Sequence, residues 1–149
     1  GKSFERAVAK AIREALQLGE EEVYRTPMSG AHFALGRSVD IQLGERARFA
    51  FPFAVECKHV RTWTPAAMLR GKLRAQEAGF LHQAKRGARE AGLDPLLVIS
   101  GHHCGTWAAA YPVYALEAVP RAHFLFEGEE WALFEFAPWL RLWAKRVGV

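Results

Sequence analysis

The chain has 149 residues, half of them hydrophobic and about a quarter charged, with a formal net charge of +4. That is ordinary for a soluble globular protein and enough for one domain, residues 1–149, with a real core. No apolar run approaches the ~18 residues that would cross a bilayer, and no signal peptide is visible.

Two cysteines, Cys57 and Cys104, make no disulfide framework, so an intracellular, reducing compartment is expected. The basic balance suggests an anionic partner. Between Arg61 and Arg89 lie Arg61, Arg70, Lys72, Arg74, Lys85, Arg86 and Arg89, opposed only by Glu77 and Glu90; Arg141, Lys145 and Arg146 close the chain. Such a run is often a solvated face, but it also suits phosphate contacts. Asn is absent and Cys and Met are scarce, which fits a heat-adapted source or GC-rich coding.

Ser3 is placed to cap a first helix. Phe4, Ala7, Val8, Ala11, Ile12, Ala15 and Leu16 then form its apolar stripe up to Gly19, with Glu5 on the flank of that stripe. Val23 to Thr26 reads as a short strand and Pro27 to Arg37 as a loop whose length suggests function. Val39 to Leu43 alternates as a strand. Gly44 to Arg48 reads as a turn, and Phe49 to Val60 as one long strand with a bulge or edge at Pro52. Thr64-Pro65 opens a helical segment that Gly71 interrupts. The main helix is expected from about Lys72 to Glu90, burying Phe80, Ala84, Ala88 and Ala91 and stopped by Gly92 and Pro95. Leu96 to Ser100 is a continuous apolar strand, central in a sheet. Trp107 to Leu116 and His123 to Phe126 are further strands, and Trp131 to Phe136 can pair with the latter through Glu127-Gly128. Ala137 to Val147 is a short amphipathic helix.

The chemistry is concentrated in Val39-Asp40-Ile41 and Val55-Glu56-Cys57-Lys58. Both strands carry charge among apolar neighbours, which is costly unless the charge is paired or bound to a metal. Glu56 and Lys58 are two apart and share a face of their strand, whereas Cys57 points to the other and should be core. With Asp40 on the neighbouring strand, two carboxylates and a lysine converge. Such a site suits a divalent cation and phosphodiester hydrolysis. A Glu–Lys pair beside an unrelated Asp is the plain alternative. His102-His103-Cys104 with Cys57, His59 and His82 invites zinc, but the spacing matches no usual structural site.

Helical Glu5, then Asp40, then Glu56-Cys57-Lys58 resembles the pattern of the PD-(D/E)xK nuclease superfamily. The closer resemblance is to archaeal-type Holliday-junction resolvases. It is carried by Ser3-Phe4-Glu5-Arg6, Tyr24-Arg25-Thr26-Pro27-Met28-Ser29-Gly30, the two metal segments, and His82-Gln83 on the second helix; Val39 stands where a proline often precedes the metal aspartate. The resemblance implies a restriction-endonuclease-like α/β core: a central mixed sheet flanked by helices, here followed by C-terminal strands and a short helix. It implies Mg²⁺, with Mn²⁺ able to substitute, held by Asp40, Glu56 and the carbonyl of Cys57. Glu5 would take a second ion or hold water beside the first. Lys58 would orient or deprotonate the attacking water or steady the transition state. Arg6, Arg25 and Ser29 would bind the scissile phosphate and Gln83 a water or phosphate, although Arg6, Arg25 and Gln83 also read as plain surface residues. The partner implied is branched DNA, a four-way junction cut by a homodimer in paired symmetric nicks. The interface could come from the strand Trp107 to Tyr114 or from Trp139, Leu140 and Trp143, which read equally as core. A resolvase of this composition could be phage-borne and act in a host cytoplasm, and another repair, restriction-like or phage recombination nuclease fits the same residues. A catalytically silent DNA-binding module fits the charge cluster less well.

Overall fold

A computed structural model describes residues 1–27 and 39–149. In chain order the elements are α1 (Lys2–Leu16), β1 (Val23–Arg25), β2 (Ile41–Leu43), α2 (Glu45–Ala50), β3 (Phe53–His59), a 3-10 turn (Pro65–Met68) and α3 (Ala75–Ala91). They continue with β4 (Asp94–Gly101), β5 (Gly105–Ala110), β6 (Arg121–Phe126), β7 (Glu129–Glu135) and α4 (Phe136–Arg146). Strands run β3-β4-β5-β7-β6 in one mixed sheet, with β3 and β4 parallel and the remaining pairs antiparallel. The antiparallel pair β1-β2 leans on β3 through a single rung, the Asp40 N–H donating to the Val55 carbonyl at 3.1 Å.

The sheet divides the core in two. On one face Val55, Cys57, Leu96, Val98, Ala108 and Phe134 pack under α1 and α4. On the other Leu97, Ile99, Leu133 and Trp131 pack with Leu81 and Ala84 of α3. β4 is buried along nearly its whole length, as its unbroken apolar run predicts. The parallel β3–α3–β4 crossover sets α3 across the charged strand and points its first turns toward the end that carries Lys58.

Several boundaries differ from expectation. α1 begins at Lys2 with no side-chain cap, and Ser3 lies within it; Gln17, in the left-handed conformation, ends it before Gly19. Its buried stripe is Val8, Ala9, Ile12 and Leu16, with Ala7 exposed, so the stripe is rotated toward Glu5. The expected turn and long strand from Gly44 to Val60 are instead α2, a break at Phe51-Pro52, and β3. The Glu22 carboxylate, arriving from the start of β1, accepts the Ala47 N–H at 3.1 Å and caps α2 from outside its own sequence. Thr64-Pro65 opens only the 3-10 turn, and α3 starts at Ala75. Pro112 ends β5 at Ala110, short of Leu116. The β6–β7 hairpin turns at Glu127 and Gly128, both at positive φ, as a two-residue turn requires. Trp139, Leu140 and Trp143 are core: the two indole rings pack with Phe51 and Phe53, and their N–H groups donate to the carbonyls of Tyr114 and Ala50. They offer no free face for an interface.

Gly101, at the end of β4, faces the carbonyl of Trp63, and a Cβ there would sit well inside van der Waals contact with that backbone oxygen. Gly101→Ala should therefore destabilise the protein by about 2 kcal/mol, as overpacking against a fixed backbone does. Urea unfolding beside Gly79→Ala, a helical position with open space, checks it.

Candidate nuclease active site

Asp40 lies in the bend just before β2 and is fixed from three sides. Its N–H donates to Val55, its carbonyl accepts the Thr26 N–H at 2.8 Å, and its Oδ2 accepts the Cys57 N–H at 2.7 Å. Thr26 makes this local geometry: it is buried, donates its hydroxyl to the Val39 carbonyl at 2.6 Å and accepts from Gln42 at 3.0 Å. It is a positioning residue that the sequence reading quoted only as part of a motif. The signal available was a threonine following the strand arginine where an apolar residue would otherwise fill the core.

In β3, Glu56 and Lys58 face α3, and Cys57 faces the α1 side and is buried there, as alternation requires. The Lys58 ammonium stands 3.5 Å from Glu56 Oε1 and 5.3 Å from the centre of the Phe80 ring, held between a carboxylate and an aromatic face. The Cys57 N–H and C=O lie on the same strand edge, so the carbonyl of Cys57 also faces the Asp40 side rather than β4.

Asp40 and Glu56 act on each other electrostatically. Burial is the first cause that raises both. The Asp40 charge adds to the rise of Glu56, which is pushed up to about 8 against an opposing pull from Lys58. For Asp40, the Cys57 N–H and Lys58 partly offset burial and the nearby Glu5 charge. With Asp40 half-buried and Glu56 buried beside a single ammonium, ionisation of both is disfavoured, and the pair favours keeping a proton when no cation is bound. A hard dication would take that proton's place. The donors are all oxygen, two carboxylates and the Cys57 carbonyl, which fits Mg²⁺ or Mn²⁺.

Glu5 sits beside this pair rather than in it. Its carboxylate accepts Arg25 Nε at 2.7 Å, and among the described residues no three His, Cys, Asp or Glu side chains form a ligand cluster. Arg25 keeps Nη2 buried with no partner among the described residues, a donor left over for an anion. Gln83 likewise keeps Oε1 buried and unpartnered. It lies one turn from Phe80, on the flank of α3 toward Lys58, whereas His82 and Lys85 face the β6–β7 hairpin. Arg6 is exposed on α1. Ser29 lies outside the described residues. His59 bonds Ser100 at 2.6 Å and His82 pairs with Glu127 at 3.6 Å, so these histidines are separately engaged. Both cysteines are free thiols.

A helix, an antiparallel pair, a charged strand, a helix and a parallel strand, with Asp40, Glu56 and Lys58 where they meet, define a PD-(D/E)xK nuclease core. A family model described as "Phage putative PDDEXK endonuclease" matches residues 1–126, and the chain belongs to that family. No curated protein matches the chain, and no solved structure does. Among the described residues no helix is long and apolar enough to cross a membrane.

Proposed function

We propose that the protein is a Mg²⁺-dependent endodeoxyribonuclease that resolves four-way DNA junctions as a homodimer, one nick per subunit. The observation that supports hydrolysis is the convergence of half-buried Asp40, bonded to the Cys57 N–H at 2.7 Å, and buried Glu56, with Lys58 at 3.5 Å from Glu56. Junction selectivity is supported by the resemblance at Ser3 to Arg6 and Tyr24 to Gly30. The family match supports a second reading, a phage nuclease acting on duplex, flaps or ends, because its description specifies no junction.

A divalent cation held by Asp40, Glu56 and the Cys57 carbonyl would polarise the scissile phosphate and acidify water for attack. Lys58, fixed over Phe80, orients the attacking water or donates to a non-bridging oxygen as negative charge builds there. Arg25 directs its spare Nη2 toward the phosphate, while Glu5 fixes the guanidinium through Nε. Asp40 couples the geometry of β2 to β3 through the Cys57 N–H. In the reaction one backbone P–O bond is replaced by a P–O bond to water, leaving a phosphate monoester and a hydroxyl.

Cleavage of a labelled immobile four-way junction, beside duplex, single-strand and flap controls of the same sequence, tests the proposal in Mg²⁺ and in EDTA. Paired symmetric nicks confined to the junction and lost in EDTA are expected. Cutting of every substrate would discard junction selectivity and favour the second reading. No cutting of any DNA would remove the nuclease reading.

A further inference from the structure

The basic run that is continuous in sequence from Arg61 to Arg89 is not one surface. Lys85 is paired with Glu129 at 3.3 Å and lies over Phe126. Arg89 lines a hollow with Pro52 and Asp94, at the end of the sheet opposite Lys58. Arg141, Lys145 and Arg146 ride on α4, on the far face of the sheet, and Arg146 stacks on Trp143.

Apart from Arg86, a lone exposed cation of the run on α3, what remains is the connector between β3 and α3. It leaves the strand directly after Lys58 and His59, and carries Arg61, Arg70, Lys72 and Arg74 with no acidic residue between Val60 and Gln76. All four cations are exposed, and none has an ion-pair partner among the described residues. Its backbone is tied down. The Val60 N–H donates to Ser100 at 2.9 Å, the His102 N–H to the Arg61 carbonyl at 3.0 Å and the Trp63 N–H to Val60 at 3.0 Å. Gly101 lets the β4–β5 end approach the Trp63 carbonyl closely. Trp63 and Met68 are buried in the α3-side core, with Leu73 packed against it. Unpaired charge on a segment anchored by the Val60–Trp63 backbone and by Trp63, Met68 and Leu73 is placed for a polyanion.

We propose that this connector is the DNA-docking strap of the enzyme. Arg61, Arg70, Lys72 and Arg74 grip backbone phosphates of the duplex flanking the scissile one, without reading sequence. The inference rests on the nuclease reading and extends it to how substrate is held. It assigns the strap to binding rather than to the chemical step, so its loss weakens KM and Kd and spares the rate at saturation.

The test compares R61Q/R70Q/K72Q/R74Q with R86Q/R89Q/R141Q/K145Q, which removes the same charge elsewhere. Kd for a labelled duplex and a labelled junction is measured from 50 to 300 mM NaCl with EDTA, by anisotropy. Single-turnover cleavage is measured with Mg²⁺ at saturating enzyme. Each lost phosphate contact lowers the salt slope by about 0.9. The strap variant should lose about 3.6 in slope and tenfold or more in affinity at 100 mM, with its saturated rate within about twofold. The distal variant should keep the parent slope, and R61K/R70K/R74K should keep most of the affinity. Equal loss in both quadruple variants, an unchanged strap variant, or a lost saturated rate with an unchanged slope would each overturn the strap. A parent protein that binds no DNA would overturn the nuclease reading with it, whereas a parent that binds and cuts confines any failure to the strap.

Discussion

Asp40→Asn should lower single-turnover DNA cleavage in Mg²⁺ by about a thousandfold or more, and Glu56→Gln by a similar factor, while both proteins stay folded and bind DNA. The size follows from what the proposed mechanism would lose: one oxygen ligand of the proposed cation, and with it the electrostatic stabilisation of a developing phosphorane. The fold should survive because Asn keeps an oxygen for the Cys57 N–H, while the Thr26 and Val55 bonds to residue 40 are made by its backbone. Neither substitution buries an unpaired charge; each removes a charge that burial disfavours. Lys58→Met should lose a comparable factor but retain cation binding, since Lys58 supplies no oxygen. The measurement is the rate on the preferred substrate at saturating enzyme, with circular dichroism and anisotropy on the same samples. Cleavage unchanged in Asp40→Asn would move the active site away from this edge of β3.

The centre of that site was legible in sequence because charge inside an apolar strand is a strong anomaly. Asp40, Glu56 and Lys58 violate the burial pattern around them, and alternation alone assigned Cys57 to the other face. The apolar run of β4, the Glu127-Gly128 turn and the aromatic last helix are equally local signals. What escaped the reading depends on partners distant in sequence. α2 stands where a turn and strand were expected because Glu22 caps it and Gly44 lets the chain turn beside that carboxylate, and neither contact has a signature in residues 45–50. Ser3 is a good capping residue, but α1 starts before it. The pairing of Glu5 with Arg25 could not be read either. The resemblance implies the metal for one and phosphate for the other, whereas the fold joins them at 2.7 Å and leaves the buried Nη2 of Arg25 to spare. The basic run is continuous in sequence only: Arg61, Arg70, Lys72 and Arg74 precede α3, whereas Lys85 on that helix turns to Glu129 of the hairpin.

Thermal stability without metal should fall as pH rises from about 5 to about 8, and a divalent cation should restore it most at the alkaline end. The sign follows from proton linkage. Glu56 has a folded-state value of about 8 against an ordinary 4.5, so between those limits the native protein holds a proton that the unfolded chain has released. Each step up in pH therefore favours the unfolded chain, by at most about 1.4 kcal/mol per pH unit for one proton. The stability associated with the protonated pair is fully present below about 4.5 and lost as pH passes through about 8. Asp40, also raised, acts in the same direction. Mg²⁺ or Mn²⁺ competes for the position of that proton, so its stabilisation grows as the proton leaves. Scanning calorimetry in EDTA and in Mg²⁺ at pH 5.5, 6.5, 7.5 and 8.5 measures both trends. Glu56→Gln should flatten the EDTA profile, melt above the parent at pH 8.5 and respond little to the cation. Titration calorimetry of the parent in buffers of different ionisation enthalpy should show net proton release at pH 6.5. A parent whose melting temperature in EDTA is flat or rising across this window, with a cation response independent of pH, would mean that Asp40 and Glu56 hold no shared proton and form no cation site.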